Sequence, residues 1–96
     1  MNINEVRDLL GRESGTVQEG TKGFVQAHSY SAYKLFMLKA GLKHSVWHYI
    51  SDPYRLMGYT RGFVVLQIDG AHRHKAFTRI CEVLAVREFK VIQVSW

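Results

Sequence analysis

Residues 33–50, YKLFMLKAGLKHSVWHYI, contain the pattern around which the predicted fold is organised. Phe36, Met37 and Ala40 recur at helical spacing and predict one apolar face of a short helix. Gly41 follows, and glycine readily takes the positive φ that ends a helix and begins a sharp turn. The first half of the stretch therefore predicts a helix that stops at a glycine.

A second helix is predicted directly after this turn. Lys43, His44 and Ser45 supply its polar first turn, and its apolar positions are Ile50 and either Val46 or Trp47, with Trp47 at the inward position of the resemblance described next. Two short helices joined at a glycine resemble the helix-turn-helix of DNA-binding proteins, in which the second helix enters the major groove. An indole is larger than the aliphatic side chain usual at the inward position. The resemblance implies duplex DNA as the favoured partner and an indole that turns inward.

The same resemblance implies two roles for the polar side chains. Lys43, His44 and Ser45 would reach base edges, with His48 one turn further along the second helix. Flanking cations would contact backbone phosphates, which position a protein without reading sequence. These cations are Lys34, Lys39, Arg55 and Arg61. Arg61 lies at the tip of a predicted hairpin, which resembles the wing of winged helix-turn-helix proteins.

Charge is distributed unevenly along the 96 residues, which predict a single small domain over residues 1–96. The net charge is +5, and residues 20–68 hold six basic residues against Asp52 alone. The other residues contain seven basic and seven acidic side chains, so the excess of positive charge lies around residues 33–50, the central stretch of the chain. A localised basic surface attracts phosphates and other polyanions. The alternative is a solvated surface that happens to be basic.

Several classes of protein are disfavoured by the composition. No run of 18 apolar residues is present, so no transmembrane helix is predicted, and the N-terminus lacks the apolar core of a signal peptide. Cys81 is the single cysteine, which allows no internal disulfide and is typical of a reducing compartment. We therefore expect a cytoplasmic protein without membrane contact.

The predicted fold class is α+β. N-terminal helices that include the helix-turn-helix-like pair precede a small sheet, strand–helix–strand, which one amphipathic helix covers. A helix between two apolar strands is long enough for a parallel crossover, and an antiparallel pair is the alternative. The predicted elements of this part are a hairpin of residues 56–59 with residues 59–68, a helix over residues 72–87 and a strand over residues 89–96.

Signals for chemistry are few. His44 and His48 would share one face of a helix, but the glutamate of the metalloprotease motif is missing and no CxxC is present, so no metal or other cofactor is expected. No motif for nucleophilic catalysis or paired acids appears, and we expect no enzyme. A histidine-dependent nuclease stays open because histidines perform acid–base chemistry.

Aromatic residues mingle with the basic ones over residues 30–61. Such side chains form stacking platforms for single-stranded nucleic acid. They are equally typical of protein–protein hot spots. The rival hypothesis is thus a small adaptor or inhibitor that binds a protein partner, of a kind that resembles phage or mobile-element regulators. The predicted terminal strand over residues 89–96, which ends in the apolar edge candidate of residues 94–96, also suggests pairing into a homodimer.

Overall fold

The computed structural model describes residues 2–13, 23–59 and 63–96. In this part of the chain four strands form one sheet in the order β2–β1–β3–β4, and every neighbouring pair is parallel. The strands are β1 (Gly23–Gln26), β2 (Trp47–Tyr49), β3 (Val64–Ile68) and β4 (Lys90–Val94). The α-helices are α1 (Ile3–Glu13), α2 (Tyr30–Ala40) and α3 (Phe77–Val86), and short 3-10 helices occupy Pro53–Leu56 and Ala71–Arg73. Helices combined with one small sheet confirm the predicted α+β class.

The sheet separates two apolar layers. On one face, Val25 and Leu66 pack with Phe36 of α2 and Val6 of α1 in a first cluster of buried side chains. On the other face, Phe24 and Val65 pack with α3 and the first 3-10 helix in a second cluster, which includes Ile80, Leu84 and Leu56. Neighbouring strand residues point to opposite faces, so both sides of these parallel strands are buried. None of the described helices is long and apolar enough to span a membrane.

The two ends of α2 have local causes that the sequence contains. Ser29 precedes the helix, and its Oγ accepts a hydrogen bond from the backbone N–H of Ala32 at 3.1 Å. Gly41 follows the helix with φ of 66° in the left-handed region. The predicted first helix of the central stretch and its glycine stop are therefore confirmed.

The predicted second helix is wrong. The carbonyl of Lys43 accepts hydrogen bonds from the N–H groups of Val46 and Trp47, which closes a single turn, and the chain then enters β2. Pairing with β1 replaces the helical bonds: Gly23 N–H donates to Val46 C=O at 2.8 Å, and Ile50 N–H donates to the carbonyl of Val25 at 3.1 Å. Aromatic residues such as Trp47 and Tyr49 are favoured in strands, and β1 provides the neighbouring strand with which they pair. Residues 33–50 thus form helix, turn and strand, not a helix-turn-helix.

Trp47 is buried, as predicted, but in a different setting. It lies opposite Gly23 in the parallel register of β1 and β2. Its indole covers the α-carbon of Gly23 so closely that a β-carbon there would lie 2.9 Å from Trp47 Cδ2 and nearer still to Cζ3 and Cε3. The glycine therefore provides the space in which the indole packs against the sheet.

The second half of the chain needs two further corrections. Residues 56–59 are not a hairpin partner: Pro53–Leu56 is a 3-10 helix, capped by Asp52, whose Oδ1 accepts from the N–H of Tyr54 at 2.8 Å. The hairpin tip, with Arg61, lies outside the described residues. The helix predicted over residues 72–87 begins only at Phe77, after a 3-10 turn. The parallel crossover from β3 through α3 to β4 is confirmed.

Candidate functional site

An open cleft of about 580 Å³ lies along the outer side of β2. β2 is an edge strand of the sheet, and His48 and Tyr49 point to opposite faces of it. Both side chains line the cleft, so the cleft follows the edge of β2 that pairs with no other strand in the described part of the chain. Its lining residues are Tyr30, Tyr33, His44, His48, Tyr49, Ser51, Arg55 and Tyr59.

Each wall of the cleft is positioned by a different element. Tyr30 and Tyr33 come from the first turns of α2, which follows the carboxyl end of β1. His44 belongs to the turn before β2, and Tyr49 ends that strand. Crossover from β1 through α2 to β2 therefore brings the two ends of the central stretch to the same edge.

Three tyrosines form a contiguous aromatic wall. The rings of Tyr30 and Tyr33 are stacked with centroids 5.6 Å apart, and Tyr49 contacts both at 5.7 and 5.4 Å. Tyr33 is only 3% exposed, whereas Tyr30 is 57% exposed. A rigid buried ring thus supports an exposed ring at the mouth of the cleft.

The hydroxyl groups of Tyr33 and Tyr49 in this wall stay neutral. Burial raises the pKa of Tyr33 above its ordinary value, and the neighbouring Tyr30 adds to the rise. Burial also raises the pKa of Tyr49. Both side chains are therefore uncharged phenols around neutral pH and do not repel an anion in the cleft.

A polar chain holds Arg55 at the carboxyl side of β2. The Arg55 Nε–H donates to Ser51 Oγ at 3.1 Å, and the Ser51 hydroxyl donates to Asp52 Oδ2 at 3.4 Å. The guanidinium is exposed, and its terminal nitrogens lie at the far side from this bond. They can form the two-pronged contact with a phosphate for which a guanidinium is suited.

The cleft has a basic character. Among the described residues no acidic side chain lines it, and the Asp52 carboxylate accepts a hydrogen bond from the Ser51 hydroxyl. Lys34 adds a further cation, since its Nζ lies 5.8 Å from the centroid of the Tyr30 ring. An anionic ligand with flat rings fits both features.

The structure brings together some of the predicted site residues and separates others. His44, His48 and Arg55 line the cleft, Lys34 borders it through Tyr30, and exposed Lys43 and Ser45 flank His44 in the turn. Lys39 lies apart, at the far end of α2, where its Nζ is 5.5 Å from the Trp96 ring. Arg61 lies outside the described residues.

The cleft also contains residues that the predicted site omitted. Tyr30, Tyr33, Tyr49 and Tyr59 belong to the mixture of aromatic and basic residues in the sequence, which signalled a stacking surface. Ser51 had no signal, because a lone serine after an apolar stretch has no distinguishing pattern.

No group of three or more His, Cys, Asp or Glu side chains converges as a metal site in the described part of the chain. Cys81 lies near amide side chains: its Sγ is 3.5 Å from Gln26 Nε2, and Oε1 of the buried Gln26 accepts a hydrogen bond from Gln67 Nε2 at 2.9 Å.

Comparison with protein-family models, curated proteins and solved structures finds no significant match. The function of the chain is therefore inferred from the residues that line the cleft.

Proposed function

We propose that this protein binds single-stranded nucleic acid in the cleft along β2, as a binding protein without catalytic activity. The observation that carries the proposal is the lining of the cleft in the described part of the chain: four tyrosines, two histidines, a serine and an arginine, with no carboxylate among them. Aromatic rings beside cations are the elements with which proteins hold single strands.

Bases would stack on the aromatic wall. Tyr30 offers exposed ring area, and Tyr33 and Tyr49 hold it in place from behind. Stacking of this kind tolerates any base, because every base has a π face. The wall thus supplies affinity without demanding a sequence.

Phosphates would lie against the cations at the rim. Arg55 presents its terminal nitrogens, and the exposed Lys34 and Lys43 both come before His44 in the chain, on α2 and in the turn that leads to β2. Each phosphate that a cation neutralises releases counterions from the strand, which favours binding at low salt.

Duplex DNA is the less favoured partner. Major-groove recognition by a helix-turn-helix needs a second helix, and residues 43–50 form a turn and a strand. An open cleft beside a sheet edge suits unstacked bases better than the face of a duplex.

Fluorescence anisotropy with labelled 12-nucleotide single strands and matched duplexes tests the proposal. With about three phosphate contacts, log affinity for the single strand should fall against log salt with a slope near −2. Duplex should bind more weakly at every salt concentration. A flat salt response, or tighter binding of the duplex, would contradict the proposal.

Two matched pairs of variants locate the binding. Tyr30→Ala should weaken single-strand binding about 5- to 150-fold, the range of one lost base stack. Tyr54→Ala removes a tyrosine that is 75% exposed outside the cleft and should have no effect. Arg55→Ala should make the salt slope shallower by about 0.7, while Arg79→Ala on α3 should leave the slope unchanged.

A second candidate follows from the position of β2 at one edge of the sheet in the described part of the chain. The bonds that Val46 and Ile50 make to β1 flank His48, so alternation along the strand turns the backbone N–H and C=O of Tyr49 outward. An extended segment of a partner protein could pair with them as an added strand. Peptides selected from a random library on the wild-type protein should then bind Tyr49→Ala but not Tyr49→Pro, which lacks the N–H. Equal binding to both variants would exclude strand addition.

Two further proposals concern setting and assembly. We propose that the protein is cytoplasmic, because a single cysteine is typical of a reducing compartment. β4 is the other edge of the sheet, and a homodimer through it stays a prediction. An isolated bridge between Asn2 and Ser95 lies just after the end of this strand.

A further inference from the structure

The hydroxyl of Tyr33 makes two hydrogen bonds at the wall of the cleft. Its oxygen lies 2.7 Å from the carbonyl oxygen of Trp47 and 3.1 Å from Nδ1 of His44. A carbonyl only accepts hydrogen bonds, so the single phenolic proton must be donated to Trp47. The oxygen of Tyr33 is then left as the acceptor for His44.

This arrangement determines the tautomer of His44. To donate to Tyr33, Nδ1 must be the nitrogen that holds the hydrogen in the neutral ring. Nε2 is then the nitrogen with a free lone pair, and it is an acceptor. His44 is an exposed residue of the cleft lining, so this acceptor is accessible to a ligand there.

Acceptor and donor lie on different parts of the same cleft. Arg55 can only donate hydrogen bonds, and Ser51 holds it by accepting from Nε. Tyr30, His44 and Arg55 all line this cleft. A strand with one phosphate at Arg55 and one base on Tyr30 would therefore have its ribose in the same cleft as the acceptor of His44. The ribose of RNA has one hydroxyl donor that DNA lacks, the 2′-OH.

We propose that the strand bound in the cleft is RNA and that its 2′-OH donates a hydrogen bond to Nε2 of His44. The inference rests on the proposed binding of single strands and adds the substrate class and a specificity-determining residue. Tyr33 is the positioning residue, because its bond to Nδ1 keeps the lone pair on Nε2.

Three oligonucleotides of one sequence test the inference by anisotropy on the wild-type protein: oligouridylate, its 2′-deoxy form and its 2′-O-methyl form. The ribo form should bind about 2- to 10-fold tighter than either of the others, the size of one net hydrogen bond. The 2′-O-methyl strand keeps the oxygen and carries a methyl group in place of the proton, while the deoxy strand lacks the whole hydroxyl without added bulk, so the two together test donation by the hydroxyl. A gel after each titration verifies that the RNA is intact.

Protein variants assign the effect to His44. His44→Phe should abolish the preference for the ribo form, so that the ratio of ribo to deoxy affinity in this variant falls to about one. Tyr33→Phe keeps its ring but frees the tautomer, and should reduce the ribo preference in part. Thermal melts of both variants establish that they are folded, and the comparison of oligonucleotides on the wild-type protein needs no variant.

The outcomes separate this inference from the proposed function. Equal affinity for all three strands would overturn the inference and leave single-strand binding intact. A ribo preference that survives His44→Phe, or an effect of this variant that depends on the base in deoxy strands, would also overturn it. Failure of every strand to bind would remove the proposed function itself.

Discussion

The contact between Gly23 and Trp47 tests how closely β2 packs against β1. Gly23→Ala would place a methyl group 2.9 Å from Trp47 Cδ2 and closer to two other ring atoms, well inside van der Waals contact. The indole is 6% exposed and rigid, and it packs in the first buried cluster, so it has little room to move. Overpacking of this kind typically costs about 1–3 kcal/mol, and we expect about 3 kcal/mol here.

Chemical denaturation followed by far-ultraviolet circular dichroism measures this cost. In a domain of this size, a loss of about 3 kcal/mol also lowers Tm by roughly 10–20 °C. Gly58→Ala is the control, because Gly58 has φ of 86° with no atom within 4 Å of an added β-carbon. It should cost only the roughly 1–2 kcal/mol of a left-handed backbone.

A double-mutant cycle identifies the indole as the cause. Trp47→Leu removes the ring atoms that a methyl group at Gly23 would strike, so Gly23→Ala should cost much less in that background than in the wild type. If Gly23→Ala changes the free energy of unfolding by less than about 0.5 kcal/mol, the level of an ordinary surface substitution, the indole does not cover Gly23 and the described packing of β2 on β1 is wrong.

Two further predictions concern the other layer and the buried phenols. Leu84→Ala should destabilise the protein by about 2–5 kcal/mol because Leu84 is 2% exposed in the second cluster, whereas Val86→Ala on the exposed side of α3 should be nearly neutral; a melt that is unchanged in both would place Leu84 at the surface. Stability should also fall as pH rises above about 10, because Tyr33 ionises at its ordinary pKa when unfolded but at a raised pKa when folded, so the unfolded state binds fewer protons. Tyr33→Phe should make this alkaline decline shallower, and an equally steep decline in the variant would show that other groups cause it.

Local signals made part of this fold predictable. Ser29 and Gly41 define the ends of α2 through a side-chain cap and a left-handed stop, which depend on near neighbours in sequence. The apolar stripe of α3 was also predictable from near neighbours in sequence, because Ile80 and Leu84 recur at helical spacing, and both are buried.

The strand at residues 47–49 could not be predicted in this way. A run of three aromatic and histidine residues fits a helix or a strand, and its partner β1 lies more than twenty residues earlier in the chain. Pairing with that strand outweighed the local preference. The helix-turn-helix interpretation failed at this point, because its first helix was a local feature and its second helix was not.

The candidate site shows the same division. Basic and aromatic residues over 30–61 indicated a surface for nucleic acid, but which of them meet depends on the sheet order. The edge position of β2 brings His44 and Arg55 to one cleft and leaves Lys39 elsewhere. Spacing along the chain contains no information on that selection.

We propose that a single strand of nucleic acid binds in the cleft along β2. Nuclear magnetic resonance can locate the bound strand directly on the protein. Titration of ¹⁵N-labelled protein with unlabelled 12-nucleotide RNA should shift the backbone amides of Tyr30, His44, Tyr49 and Arg55 first and most strongly. Amides of α3, including that of exposed Arg79, should stay in place. Shifts concentrated on α3, with the β2 amides unchanged, would contradict the account.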